Sequence, residues 1–116
     1  MSQSGDDPAE LPGEIVLSTA GETVTVTVAG TIDVRLVLAL RKVLHEATSL
    51  APDTLRLHLL ISVDGAELLA RVVRETQGRF QASWRRFLVA ASDPAVVRLL
   101  AGARVEAVFQ PGLAAG

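Results

Sequence analysis

Valine and threonine alternate through Thr23–Val28, the two-residue period of a strand with one face in a core and the other in water. Six successive β-branched positions strengthen that reading. A shorter apolar–polar run, Glu14–Thr19, precedes it across Ala20–Gly21, and the two predict a hairpin. After Gly30–Asp33 the period changes. Leu36, Leu40, Val43, Leu44 and Ala47 fall on one face of a helix over Val34–Thr48, with Val37 and Leu38 widening the apolar stripe. Asp33 stands where a carboxylate caps such a helix, and Pro52 stops it.

The alternation then repeats at a larger scale. Thr54–Ser62 is nearly all apolar and bounded by turn residues, which predicts a central strand. Val63–Gly65 turns into a helix over Ala66–Thr76, with Leu68, Leu69, Val72 and Val73 on one side, Arg71, Arg74 and Glu75 opposite, and Gly78 as its stop. Leu69 and Val72 are expected in the core. Trp84–Ala91 predicts another strand. Ser92 or Asp93 caps a helix that opens on Pro94, carries Val96, Val97, Leu99 and Leu100, and closes at Gly102. Val105–Phe109 predicts a last strand. Helices between strands imply an α/β domain with parallel pairings and right-handed crossovers. Met1–Gly13, acidic and holding Pro8 and Pro12, and Gln110–Gly116, with Pro111 and Gly112, are expected as flexible tails around a domain at 14–109.

Composition narrows the function classes. The chain has 116 residues, the size of one domain, and 3% aromatics, so the core is aliphatic. The absence of cysteine excludes disulfides, thiolate zinc sites and a cysteine nucleophile. His45 and His58 alone cannot supply a catalytic zinc's ligands. Net charge is −2, without the basic excess of a nucleic-acid binder. No apolar run reaches the ~20 residues that span a bilayer, and no leader-type apolar region follows the acidic start, so a cytoplasmic protein is expected. Phosphate loops, a nucleophile elbow and a His-Glu-x-x-His motif are all missing. The chain is therefore expected to be no enzyme and to need no cofactor or metal.

Individual residues allow two readings each. His58 in its apolar strand is a base or ligand, or a core-edge histidine, and the lack of any partner cluster favours the second. His45, late in its helix, sits favourably near the negative end of the dipole. Asp93 is a site carboxylate or a helix cap, and its place before proline at a helix start favours the cap. Arg79, Arg85 and Arg86 form an acid-attracting group or a solvated turn. Trp84 is an exposed binding anchor, or a core or rim residue. Asp33 and Asp64 each stand at a strand-to-helix junction, and parallel strands would bring both junctions to one sheet edge as helix caps, a shared site, or both.

Several of these stretches together resemble a STAS domain, the family of the anti-sigma-factor antagonists. Val-Ala-Gly-Thr-Ile-Asp at 28–33 before an amphipathic helix is similar to the family's opening. Pro52-Asp53-Thr54-Leu55 leads into the apolar strand as the family's chains do. Ser92-Asp93-Pro94-Ala95-Val96-Val97-Arg98-Leu99-Leu100 resembles the closing Pro-x-Val-x-x-Leu-Leu helix. The resemblance covers about residues 14–109, by the order of several weak motifs. It implies a STAS-like mixed sheet of about four to five strands with three main helices. It also implies partner switching: a serine after Asp in an Asp-Ser-Ser/Ala-Gly-Leu motif is phosphorylated by a serine kinase that doubles as an anti-sigma factor.

The matching stretch here is Asp64-Gly65-Ala66-Glu67-Leu68. Asp64 and Leu68 fit, Gly65 replaces the phosphoacceptor, Ala66 and Glu67 replace its neighbours, and His58 stands where the family's strand carries an acid. A phosphate would add about −2 charge at a helix start. Without a hydroxyl at 65 that switch is missing, and Ser62 substitutes only in a shifted register. The implied role is a non-enzymatic bacterial transcription regulator that docks an anti-sigma factor or serine kinase through Asp33, Asp64, Gly65, Ala66, Glu67 and Leu68. A homodimer stays open. So do a stressosome-like scaffold, an accessory subunit on a transporter ATPase, and a small-ligand sensor.

Overall fold

The computed structural model describes residues 13–64, 66–83 and 85–112. Five strands and three helices alternate in the expected order. They are β1 (Glu14–Ala20), β2 (Thr23–Ala29), α1 (Val34–Ser49), β3 (Thr54–Leu60), α2 (Ala66–Ala82), β4 (Arg86–Ala91), α3 (Pro94–Gly102) and β5 (Val108–Phe109). They form one sheet in the order β1-β2-β3-β4-β5. β1 and β2 are antiparallel, and every later pairing is parallel. The hairpin turns at Gly21–Glu22, where Gly21 takes φ 61°, the positive value a type II′ turn asks of its first central residue.

Each parallel crossover lays its helix on the same side of the sheet. α1 packs on α2 and α2 on α3, one helical layer over one sheet face. Val24, Val26 and Val28 meet Leu55, Leu57 and Leu59 on that face, all but fully buried beneath Leu40, Leu44, Leu69, Val73, Val96 and Leu100. Each such side chain contributes about 1.5–3 kcal/mol of burial. The opposite face carries Val16, Thr25, Arg56, His58 and Leu88, and no layer covers it among the described residues.

The caps follow the sequence. The Leu36 amide donates to Asp33 Oδ1 at 2.8 Å, and the Ala95 amide donates to Asp93 Oδ1 at 2.9 Å, with Pro94 opening α3. α1 ends where Ala51 takes a left-handed φ of 55°, a C-terminal position usually given to glycine.

Four expectations are corrected. α2 does not stop at Gly78 but runs two turns past Thr76 to Ala82, because Phe80 inserts into the core beside Phe87, with ring centroids 5.7 Å apart. Burial of that ring outweighs the roughly 1 kcal/mol that glycine costs inside a helix. Strand β3 ends at Leu60, not Ser62. The last strand is two residues long, since Val105 turns inward and is buried where a strand would run. Leu38 does not widen the core stripe of α1; it is 59% exposed, about half a turn from the Leu36–Leu40 seam.

The innermost residues of the two expected tails, Gly13 and Gln110, lie against the domain. Gly13 approaches Leu36 and the Thr31 carbonyl so closely that a side chain there would collide. The Gln110 amide donates to the Ala91 carbonyl at 2.9 Å. Most of the N-terminal stretch, the last four residues, Gly65 and Trp84 lie outside the described residues.

Candidate functional site

Three parallel strands end at one sheet edge, so the segments after Ala29, Leu60 and Ala91 emerge side by side. Open α/β sheets expose their loops at this edge. Asp33 belongs to the first segment and Asp64 to the second, and both are exposed. Asp33 caps α1 through the bond to Leu36 and accepts the Val37 amide on its carbonyl at 3.0 Å, so its structural duty is established. Asp64 is free of such a bond among the described residues. The Ala66 amide instead closes α2 onto the Val63 carbonyl at 3.0 Å.

The first turn of α2 divides by depth. Ala66 is wholly buried, so its side chain offers nothing to a partner, contrary to the sequence expectation. Glu67 is exposed, where the helix dipole favours an acid. Leu68 is 46% exposed, while Leu69 and Val72 point into the core as expected. Gly65 lies outside the described residues. Ser62 is exposed on the same segment, two residues past the end of β3.

The structure adds residues that motif reading missed. Glu67 and Leu68 form one wall of a cleft of about 320 Å³ between α1 and α2, completed by Val37, Leu38, Arg41, Arg71 and the largely buried Val72. Val34 and Leu38 are the most exposed large apolar residues of α1, on the side the core does not use. Above the cleft Arg41 reaches Glu75 at 3.7 Å, a loose pair between exposed side chains that contributes at most about 1 kcal/mol. The signal was present in the sequence: Leu38 lies off the heptad-like seam of Leu36, Leu40 and Leu44, as an apolar residue facing outward does. Apolar walls flanked by arginines and one acid suit docking of another protein surface rather than a reaction.

The remaining candidates lie elsewhere. Asp93 caps α3, and Arg85 and Arg86 are exposed before β4, where the Arg86 amide bonds the Asp53 carbonyl. Glu22 and Asp53 meet at the opposite sheet edge, where a side-chain hydrogen bond with Asp53 and then that residue's charge hold the Glu22 carboxyl above the usual range. A cleft of about 560 Å³ lies between α3 and β4, with apolar walls that include Phe87, apart from Arg104 and Glu106. Among the described residues, no group of three or more His, Asp or Glu side chains could hold a metal ion, and no helix is long and apolar enough to cross a membrane.

His58 sits on the uncovered sheet face between Thr27 and Ala90, far from the corner built by Asp33 and Glu67. Partial burial lowers its pKa, with the Arg56 cation adding to the effect. The unfolded chain therefore takes up a proton near pH 6.5 that the folded chain refuses. Stability is unaffected above that value and falls as pH drops from about 6.5 toward the lowered folded value. Urea unfolding at pH 7.5 and 5.5 checks this: His58→Gln abolishes the part of the loss that histidine causes, and an identical pH dependence in both proteins refutes it.

No protein-family model matches the chain, and no curated protein matches it either. Among solved structures, the crystal structure of an anti-sigma factor antagonist from Mycobacterium paratuberculosis is similar to it. The TM-score is 0.61 at 17% sequence identity, covering 89% of this chain and 88% of that one. A likeness at that identity establishes the fold: the chain has the STAS-like α/β architecture of an anti-sigma factor antagonist, with a five-stranded mixed sheet and three helices.

Proposed function

We propose that this chain is a non-enzymatic docking module that binds an anti-sigma factor or a related serine kinase through the corner between α1 and α2. The observation that carries the reading is the uncovered apolar pair Leu38 and Leu68 beside Glu67, on the fold of an antagonist. Buried side chains hold the corner rigid from beneath, so little ordering entropy opposes docking. Asp33, Asp64 and Glu67 put negative charge on its loop side while Arg41 and Arg71 put positive charge beside the apolar pair, so the pattern favours a partner of complementary mixed charge in one orientation.

The proposed module is not switched as the antagonist family is. In the family's motif a serine occupies the position of Gly65, and here no hydroxyl is available to a kinase at that place. Glu67 supplies one fixed charge in the first turn of α2, less than a phosphate's about −2 and not removable. Binding is then set by expression or by competition between partners. Calorimetric titration against the anti-sigma factors of its own cell, with and without Mg-ATP, tests this. Stoichiometric binding is expected, unchanged by nucleotide and weakened about tenfold by Glu67→Arg. Absence of binding to every candidate, or stoichiometric phosphate on Ser62, overturns the reading.

A further inference from the structure

We propose that two copies of this chain join edge to edge through β1, making one continuous ten-stranded sheet about a two-fold axis at Leu17. β1 is an outer strand of the sheet, seven residues long and paired without a bulge from Glu14 opposite Ala29 to Ala20 opposite Thr23. Outer strands are normally protected by lysine, proline, bulges or covering segments. β1 contains none of the first three, and Glu14 at one end is its single charge. Val16 and Leu17 are 41% and 40% exposed, one on each face of the sheet.

The direction of the free backbone groups follows from the ladder. The Glu22 carbonyl accepts from the Thr54 amide, so Thr23, Thr25 and Thr27 turn their amides and carbonyls toward β1. Their opposites Ala20, Ser18 and Val16 are thereby engaged. Ile15, Leu17 and Thr19 direct theirs outward, with no strand beside them among the described residues. An antiparallel copy centred on Leu17 sets Leu17 opposite Leu17 and Ile15 opposite Thr19, which pairs all three residues' outward groups. Glu14 then faces Ala20, so no like charges meet.

The helical layer supports the same axis. α1 packs over β1 and β2, and one flank of it, Val37 and Arg41, lines the cleft toward α2. By helical rotation its other flank carries Arg35, Ala39, Lys42 and Glu46, all exposed, and half-buried Val43. A two-fold axis through Leu17 runs the two α1 flanks antiparallel on the same sheet face. The flanks then bring Arg35, Lys42 and Glu46 of one copy alongside the same residues of the other, so that each copy offers the other an acid as well as bases. The docking corners end up at opposite ends of the joined sheet, each open.

Sedimentation equilibrium with hydrogen exchange on the full chain tests this. A reversible dimer is expected, with Kd in the range of about 1–100 μM, as suits an interface of modest area. The amides of Ile15, Leu17 and Thr19 gain protection as concentration rises, while those of Val16 and Ser18, already bonded to β2, do not. Leu17→Lys, which sets two cations face to face at a half-exposed position, weakens the dimer at least tenfold with unchanged circular dichroism. The exchange pattern of the unaltered chain decides the matter even if that variant misfolds. A monomer up to about 500 μM, an assembly larger than a dimer, or protection at Leu17 independent of concentration, as cover by residues 1–12 would give, overturns the proposal.

Discussion

Phe80→Ala lowers the free energy of unfolding by about 3–5 kcal/mol, the usual cost of removing a large buried aromatic ring. That is a large share of the 5–15 kcal/mol available to a domain of this size. The side chain is 2% exposed and stacks in a tilted arrangement on Phe87, so the cavity it leaves is walled by β4 and cannot close by local collapse. The same residue ends α2: its carbonyl accepts from the amides of Ser83 and Arg85 at 3.1 and 3.2 Å. Loss of the ring therefore loosens both the helix end and the entry to β4. Thermal unfolding followed by circular dichroism should show a fall in Tm of more than about 10 °C. Gly78→Ala makes the counterpart. Gly78 lies inside α2 with open space around it, so alanine there raises stability by roughly 0.5–1 kcal/mol. A helix that ended at Gly78 would give the reverse: little effect at Phe80 and none, or a loss, at Gly78.

Gly78 also shows what the sequence could and could not disclose. Strand and helix order was legible because each element carries its own period: the Val-Thr alternation of β2, the Leu36–Leu40–Leu44 seam of α1, and Asp93-Pro94 at the start of α3. These are local signals, and tertiary contacts only reinforce them. Where the fold departs from the reading, the packing of one element on the next decides. Phe80 carries α2 past its glycine because Phe87 is waiting, and β5 is short because Val105 is drawn under α3. Neither is visible without knowing which strand lies beside which.

The corner is legible to a different degree. Asp33 and Asp64 could be placed at one sheet edge from topology alone, since parallel strands end together. Ala66 was misjudged because a motif names a stretch and not a side: within Ala66–Leu68 the helix turns one residue inward and two outward. The contribution of α1 was missed because no motif spans two helices. Leu38 and Leu68 are 30 positions apart in the chain, and only the packing of α1 on α2 makes them neighbours of one cleft.

That cleft gives the second large effect. Leu38→Asp and Leu68→Arg each weaken binding of the proposed anti-sigma partner by about 30–100-fold while leaving unfolding free energy within about 0.5 kcal/mol of the original. The two residues are 59% and 46% exposed, so the fold gives up little when they change. In a complex they would be dehydrated against the partner, where a charge without a counterpart costs several times what a lost methyl contact does. Leu88→Asp supplies the control. Leu88 is 48% exposed, comparable to Leu68, but lies in β4 on the uncovered sheet face. It should bind as the unaltered chain does. Titration of the three variants with one partner preparation separates the faces: losses at Leu38 and Leu68 with none at Leu88 locate docking between α1 and α2. An equal loss at Leu88 means that exposed leucines are interchangeable and the corner has no special part, and a loss at Leu88 alone transfers the interface to the open sheet.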